Sequence, residues 1–442
     1  MICTSLIGCS SVEDMQGENL NSNSKTPEIT EIKNVILLIG DGMGTTYTTA
    51  YRYYKDNLTT SIMEKTSFDP YLVGLQTTYS FDEDHNITDS AAAATSLSSG
   101  IKTYNGAIGV DMHEDDVKTV LEVAKELGKS TGLIATSTIN HATPAAFGAH
   151  NKSRKNYSEI ANDYYDDLVN GKHKVDILLG GGRNEFVRKD RNLVEEFKKD
   201  GYAFVTTRKE LLENQNEQVI GLFAEGALPK MIDRSKETPS LEDMTLAALK
   251  QLNKNENGFF LMVEGSQIDW GGHDNDIVSV MSEMEDFEKA FKAAIDFAIK
   301  DKHTLVIATG DHETGGLSVG SGSDYNWNFE IIKQVTRTPS FIANKLIAQA
   351  DVEKTLKKYI KFSLTREEVN KVIDKVNSNP AGTVKTIASI INKRSNTGWT
   401  TNGHTGQDVP VYAFGPGSAL FAGLTDNTET AKNIIKMLNL SH

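Results

Sequence analysis

A chain of 442 residues is longer than one compact core needs, so either one large domain carrying an insertion or two domains is expected. Its 46 Lys+Arg against 60 Asp+Glu leave a formal net charge of -14, which argues against a nucleic-acid binding surface, because gripping a polyphosphate backbone draws on a basic face. Any anionic substrate must then be attracted by a local positive charge, such as bound metal.

Taken in chain order, the first feature is the run Leu6-Ile7-Gly8-Cys9, which has the form of a bacterial lipobox. The apolar run from Met1 is short for an export signal and lacks a basic start, which points to a truncated beginning. Residues 10–25 are rich in Ser, Asn, Glu and Gly and read as a flexible tether. Residues 1–30 are therefore expected to be a lipoprotein-type signal and tether, with Cys9 as a lipid anchor and the protein exported to the periplasm or cell surface. The plainer alternative is an ordinary N-terminus that happens to hold a cysteine. Cys3 and Cys9 are the only cysteines, so the folded part contains no disulfide. No later segment reaches the ~20 apolar residues of a membrane span.

Five apolar, β-branched runs at 34–39, 131–135, 175–179, 258–263 and 304–308 read as buried strands of a parallel sheet. Helical patterns at 117–127 and 278–299 lie between them. Alternating strands and helices predict a three-layer α/β/α sandwich with a mostly parallel central sheet. The polar stretch 321–395, with a helical pattern at 366–376, reads as an insertion over the active-site edge. A strand at 409–414 and a helix at 429–438 then complete the domain.

Four of these strands run into groups that bind cations. The first leads to Gly40-Asp41-Gly42-Met43-Gly44, the second to His141-Ala142-Thr143, another to Glu264 with Asp269 and His273 beyond, and another to Asp311-His312. Ligands of open α/β sheets bind at the carboxyl ends of strands, so these arrivals predict one shared metal site. Asp269 and His273, four apart, with His404 from a Gly-His-Thr-Gly loop, supply one ion; Asp41, Asp311 and His312 supply another. Nitrogen and oxygen ligands without thiolate suit Zn²⁺, whereas the oxygens of Asp41, Thr143 and Glu264 suit Mg²⁺.

The run Thr88-Asp89-Ser90-Ala91-Ala92-Ala93-Ala94 opens a helix. Asp89 or Ser90 could be a simple N-cap, but Ser90 would also stand at the positive end of the helix macrodipole, facing the metals. A serine hydroxyl is a poor nucleophile until its alkoxide is stabilised. Gly-x-Ser-x-Gly is absent and no histidine in a serine-hydrolase arrangement is evident; zinc coordination would do the same job. Arg154 offers a planar fork for bidentate capture of phosphate. Gly180-Gly181-Gly182 lacks the ending of a nucleotide-binding loop and reads as a strand-to-loop turn.

Together, Gly40-Asp41-Gly42-Met43-Gly44, Asp89-Ser90-Ala91-Ala92, Ala142-Thr143-Pro144-Ala145-Ala146, Val263-Glu264-Gly265, Asp269 with His273, Asp311-His312 and His404-Thr405-Gly406 resemble the motifs of the alkaline phosphatase family, in family order and over nearly the whole chain from Asn34. The resemblance implies a catalytic domain over 31–442, with 321–395 a crown-like subdomain, and hydrolysis of small phosphate monoesters through a phosphoserine. It implies Ser90 as nucleophile, Arg154 gripping phosphate and Asp89 orienting it. It further implies one zinc on Asp269, His273 and His404, a second on Asp41, Asp311 and His312, and magnesium on Asp41, Thr143 and Glu264. Family members are usually homodimers. Two positions depart from the best-studied bacterial pattern: His141 stands for Asp and Trp270 for Lys, both near the outer phosphate oxygens. An imidazole at 141 leaves the third site open to Zn²⁺ as well as Mg²⁺. A sulfatase would need Cys/Ser-x-Pro-x-Arg where Ser90 is followed by alanines, and a zinc-storage protein would need neither Ser90 nor Arg154.

Overall fold

The computed structural model describes residues 32–440, apart from 83, 349 and 350. The expected signal, tether and Cys9 anchor lie outside the described residues.

Ten strands form one sheet: β1 Asn34–Gly40, β2 Leu72–Thr77, β3 Ser130–Thr138, β4 Ile177–Gly181, β5 Ala203–Val205, β6 Val219–Leu222, β7 Phe259–Gly265, β8 Thr304–Gly310, β9 Val409–Phe414 and β10 Gly423–Asp426. Their order is β10-β2-β9-β8-β1-β7-β3-β4-β6-β5. All pairs are parallel except those of β9, which runs antiparallel to both β8 and β2. The central strands are buried along their whole length, which is why they read as unbroken apolar runs.

Alternation along β1 divides the core between two layers. Ile36 and Leu38 point to a cluster built with the helices Thr45–Lys55, Leu241–Leu252 and Ile277–Asp301. Val35, Leu37 and Ile39 point to the opposite face, covered by the helices Ser90–Ser99, Val120–Glu126, Ala142–Gly148 and Thr428–Leu440. This is the α/β/α sandwich that the strand and helix alternation predicts.

Four strands carried too little signal to be read in advance: β2, β5, β6 and β10. Each has only three to six residues; β10 at the sheet edge is half exposed, and β2 beside it is mostly half-buried. The glycine run also differs from its expected turn. Gly180 and Gly181 continue β4, and only Gly182, at φ 95°, turns the chain into the helix Arg183–Phe186.

Between β8 and β9 the chain forms the helices Phe329–Lys333, Pro339–Ile347, Val352–Tyr359, Arg366–Ser378 and Thr383–Ser395. Their apolar residues, including Phe329, Ile342, Leu356, Val372 and Ile387, merge with the core on the Ile36 and Leu38 side of the sheet.

Asn34 ties the three central strands together. Its side-chain amide donates to Thr304 Oγ1 on β8 at 3.1 Å and to Asp301 Oδ2 at 3.2 Å. Its carbonyl accepts from the Phe259 amide of β7 at 3.1 Å. An unsatisfied buried polar group costs roughly 1–3 kcal/mol, so Asn34→Ala is expected to destabilise the fold by about that amount. A lower urea midpoint with unchanged kcat and KM is the expected result; unchanged stability would show that strand register does not lean on this side chain.

Candidate active site

The parallel register sets the site. Gly40 at the end of β1 lies opposite Gly265 of β7 and Gly310 of β8, and Ile39 lies opposite Glu264. Asp41, Glu264 and Asp311-His312 therefore leave three adjacent strands at one level. Gly42, at φ 75°, lets two loops approach closely: a Cβ there would meet Asp269 Cα and Thr314 Oγ1 at 2.8 Å. Its amide donates to Asp311 Oδ1 at 3.0 Å, joining the loop after β1 to the loop after β8.

Among the described residues, three groups of side chains bring ligand atoms within 4.8 Å of one another: Asp269, His273 and His404; Asp41, Asp269 and His312; and Asp41, His141 and Glu264. The trio read from sequence also meets, since His312 Nε2 lies 3.4 Å from Asp41 Oδ1 and 3.3 Å from Asp311 Oδ2. Asp269 thus stands between two groups rather than in one. It comes from the helix Gln267–His273, whose spacing presents His273 Nε2 to Asp269 Oδ2 at 3.3 Å. His404 is not in a free loop as its glycine-flanked sequence implied: His404–Thr405 pairs as a short strand with Glu313–Thr314.

The chemistry of these donors fits divalent cations. Both Asp41 oxygens, Glu264 Oε1, Asp311 Oδ2 and Thr143 Oγ1 are buried with no hydrogen-bond partner among the described residues. Burial, followed by the neighbouring carboxylates Asp311 and Asp269, pushes Asp41 far above the usual carboxylate range. Burial likewise raises Asp311 to about 8 and Glu264 to about 7. Asp269 alone is held low: although buried, it accepts from His273 and lies near the His312 and His404 rings. His273 is raised to about 9, chiefly by its hydrogen bond to Asp269. Burial drives His312 well down, leaving it a neutral imidazole, the form that binds metal.

Ser90 is the first residue of the helix Ser90–Ser99, and Asp89 is its N-cap, accepting from Ala92 N at 3.0 Å. Both readings of this motif therefore apply, to different residues. Ser90 Oγ lies 3.2 Å from His312 Nε2, a proximity that sequence spacing had not revealed. The arrangement is not a hydrolase triad, because the carboxylates of Asp41 and Asp311 approach the same ring nitrogen rather than the far one.

Arg154 Nη1 donates to Asp89 Oδ2 at 2.9 Å, and its Nη2 lies 3.4 Å from His141 Nε2. A guanidinium can only donate, so His141 Nε2 accepts and the ring proton sits on Nδ1, which is buried without a partner among the described residues. Burial and then Arg154 hold His141 down to about 4. Trp270 stacks edge-on against His141, with ring centroids 5.8 Å apart.

Some contributors to the site were not visible in the sequence. His273 Nδ1 is held by the Asn402 carbonyl at 2.6 Å and His404 Nδ1 by the Thr88 carbonyl at 2.8 Å. Backbone acceptors leave no trace in residue identity. Glu313 is buried and accepts from the amides of Gly316 and Leu317 at 3.2 and 3.1 Å and from the Thr405 hydroxyl. Thr314 could have been found, since two residues beyond His312 in extended chain puts both side chains on one face.

The family model described as alkaline phosphatase matches residues 32–440. Alkaline phosphatase 3 of Bacillus subtilis (strain 168) is 63% identical over 412 residues, covering 92% of this chain and 89% of that protein. The crystal structure of a cold-active alkaline phosphatase from a psychrophilic Shewanella sp. superposes with a TM-score of 0.87 at 41% identity, covering 92% of this chain and 99% of that one. A histidine-to-aspartate mutant of the alkaline phosphatase from the Antarctic bacterium TAB5, described with Mg bound in its M3 site, aligns at a TM-score of 0.69 and 31% identity, covering 93% and 99%. With its fold, its strand-end groups and nearly its whole length matched, this chain belongs to the alkaline phosphatase family.

Proposed function

We propose that the chain hydrolyses small phosphate monoesters through a covalent phosphoserine on Ser90. The observation that carries this reading is Ser90 Oγ at a helix N-terminus, 3.2 Å from His312 Nε2, in a site where buried carboxylate oxygens of Asp41, Glu264 and Asp311 have no hydrogen-bond partner among the described residues. Asp269, His273 and His404 would hold one zinc; Asp41, Asp311 and His312 would hold the second; Asp41, Thr143 and Glu264 would hold magnesium. Zinc supplies Lewis-acid chemistry, lowering the pKa of a bound hydroxyl or water and taking up negative charge from oxygen.

The chain's own residues do the positioning. Ser90 Oγ bonds to phosphorus as the bond to the leaving alcohol breaks. Water oxygen then displaces Ser90 Oγ and inorganic phosphate leaves. Asp89 holds Arg154 by Nη1 and His141 accepts from Nη2, so the remaining N–H groups of the guanidinium would serve the phosphate oxygens. The amides opening the helix Ser90–Ser99 add partial positive charge where the anion sits. These contacts recognise the phosphoryl group alone, which supports broad acceptance of alcohols.

Ser90→Ala is expected to lose nearly all hydrolysis of p-nitrophenyl phosphate while still binding zinc. Acid-quenched wild-type enzyme should carry label from substrate on the peptide containing Ser90, and label on any other residue would refute the assignment.

His141 and Trp270 are expected to tune the third metal and the outer phosphate oxygens. The Mg-bearing histidine-to-aspartate mutant of the TAB5 enzyme supports making the same exchange at His141. Replacing its imidazole by a carboxylate adds an oxygen ligand beside Thr143 and Glu264, which favours Mg²⁺. His141→Asp should therefore tighten the magnesium dependence of zinc-loaded enzyme, and Trp270→Lys should strengthen inhibition by inorganic phosphate. Titration curves identical to wild type would remove both residues from this role.

Metal removal has a pH signature. Folded, Glu264, Asp311 and His273 hold protons up to about 7, about 8 and about 9, whereas an unfolded chain has shed these protons by about pH 7. The folded state then binds more protons, so stability falls as pH rises from 7 to 9. EDTA-treated protein should melt at progressively lower temperature across that range, and zinc should flatten the trend. A flat profile without metal would contradict the buried-carboxylate account.

A further inference from the structure

We infer that Thr314 is a positioning residue whose single hydroxyl sets the ring tautomer of His312 and the orientation of the Asp269 carboxylate together. The inference rests on the proposed two-zinc reading, but it concerns a residue that holds no ion itself. Thr314 is fully buried. Its Oγ1 lies 2.5 Å from Asp269 Oδ1 and 3.3 Å from His312 Nδ1.

A hydroxyl has one proton to give and lone pairs to accept with. The Asp269 carboxylate faces His273 Nε2 at 3.3 Å and His404 Nε2 at 3.6 Å, and an ionised carboxylate only accepts. The Thr314 proton therefore goes to Asp269 Oδ1, and the hydroxyl oxygen is left to accept Nδ1–H from His312. That places the His312 proton on Nδ1 and bares Nε2, the nitrogen turned to Asp41, Asp311 and Ser90.

The same rule governs the other two imidazoles. His273 Nδ1 is held by the Asn402 carbonyl and His404 Nδ1 by the Thr88 carbonyl, so each neutral ring keeps its proton on Nδ1 and turns Nε2 inward as the ligand nitrogen. Two tautomers are thus set by backbone, which no substitution removes. The third is set by one side chain.

Thr314 is itself held firmly. The Tyr47 hydroxyl donates to its carbonyl, its strand pairs it with His404, and Gly42 packs against its Oγ1. It is therefore linked to Asp269, His312 and His404, drawn from three separate segments. Partners of this kind orient metal-bound imidazoles, and their removal costs about 10–100-fold in metal affinity.

The test compares side chains with and without the hydroxyl. Thr314→Val and Thr314→Ala lack it, whereas Thr314→Ser keeps it. Zinc affinity is read by competition with a chromophoric chelator, and ligand geometry by the visible spectrum of Co²⁺-loaded enzyme. The expected result is a loss of zinc affinity of about 10–100-fold in both Val and Ala variants, an altered Co²⁺ spectrum in each, and near wild-type behaviour in Ser. Wild-type affinity and spectrum in the Ala variant, or a Ser variant as weak as Ala, would overturn the inference while leaving the two-zinc reading intact. Wild-type protein that takes up no zinc would overturn that reading, and this inference with it.

Discussion

Buried negative charge at one edge of the sheet is the constraint from which the rest of the site follows. Asp41, Glu264 and Asp311 are fully enclosed, and among the described residues none of them has a lysine or arginine within ion-pair distance. Isolated buried carboxylates are costly, and proteins either neutralise them or pair them with a cation. Here the fold makes neutralisation the default, raising Asp311 and Glu264 towards neutral pH by burial. Such a pocket stores a preference for divalent ions as destabilisation of the chain without them, so metal affinity and folding stability are linked.

The sheet makes this concentration possible. Parallel strands in register end at the same height, and β1, β7 and β8 each deliver an acid there, while β3 leads to His141 and Thr143. A mostly antiparallel sheet would send alternate strand ends to opposite edges. The helix Ser90–Ser99 is aimed at the same place by its packing on the Val35, Leu37 and Ile39 face. The sandwich and the site are consequences of one register.

Much of this is legible in the residues because central strands carry a strong signal. β1, β7 and β8 are apolar throughout and each runs into a ligand-type residue at its end, so periodicity and chemistry point to the same place. β9 was readable from its apolar run alone, whereas β5 and β6 are too short to show a period. β10 is half solvent-facing, and its Leu424 is 65% exposed, so alternation against water gave no clear face. Long-range pairings were invisible for a different reason. His404 becomes a strand residue only because Glu313–Thr314 lies beside it, and its flanking glycines argue locally for a loop. The approach of His312 to Ser90 joins residues 222 apart, which no local pattern reports.

Charge also decides how an acidic protein can hold an acidic substrate. With a formal net charge of -14, the surface field repels a phosphate dianion. Inside the site, Arg154 is already engaged by Asp89, so its charge is partly spent before any anion arrives. Once ionised, the four carboxylates of Asp41, Glu264, Asp269 and Asp311 outweigh that single guanidinium. Divalent ions held by these groups would reverse the sign locally while leaving the outside negative. Recognition then depends on distance: the repulsion is spread over the surface and screened within about 10 Å at ordinary ionic strength, whereas attraction at the helix N-terminus acts at contact. An acidic exterior and an anion-binding interior are therefore compatible in one chain, provided the positive charge is carried by ions that the fold itself requires.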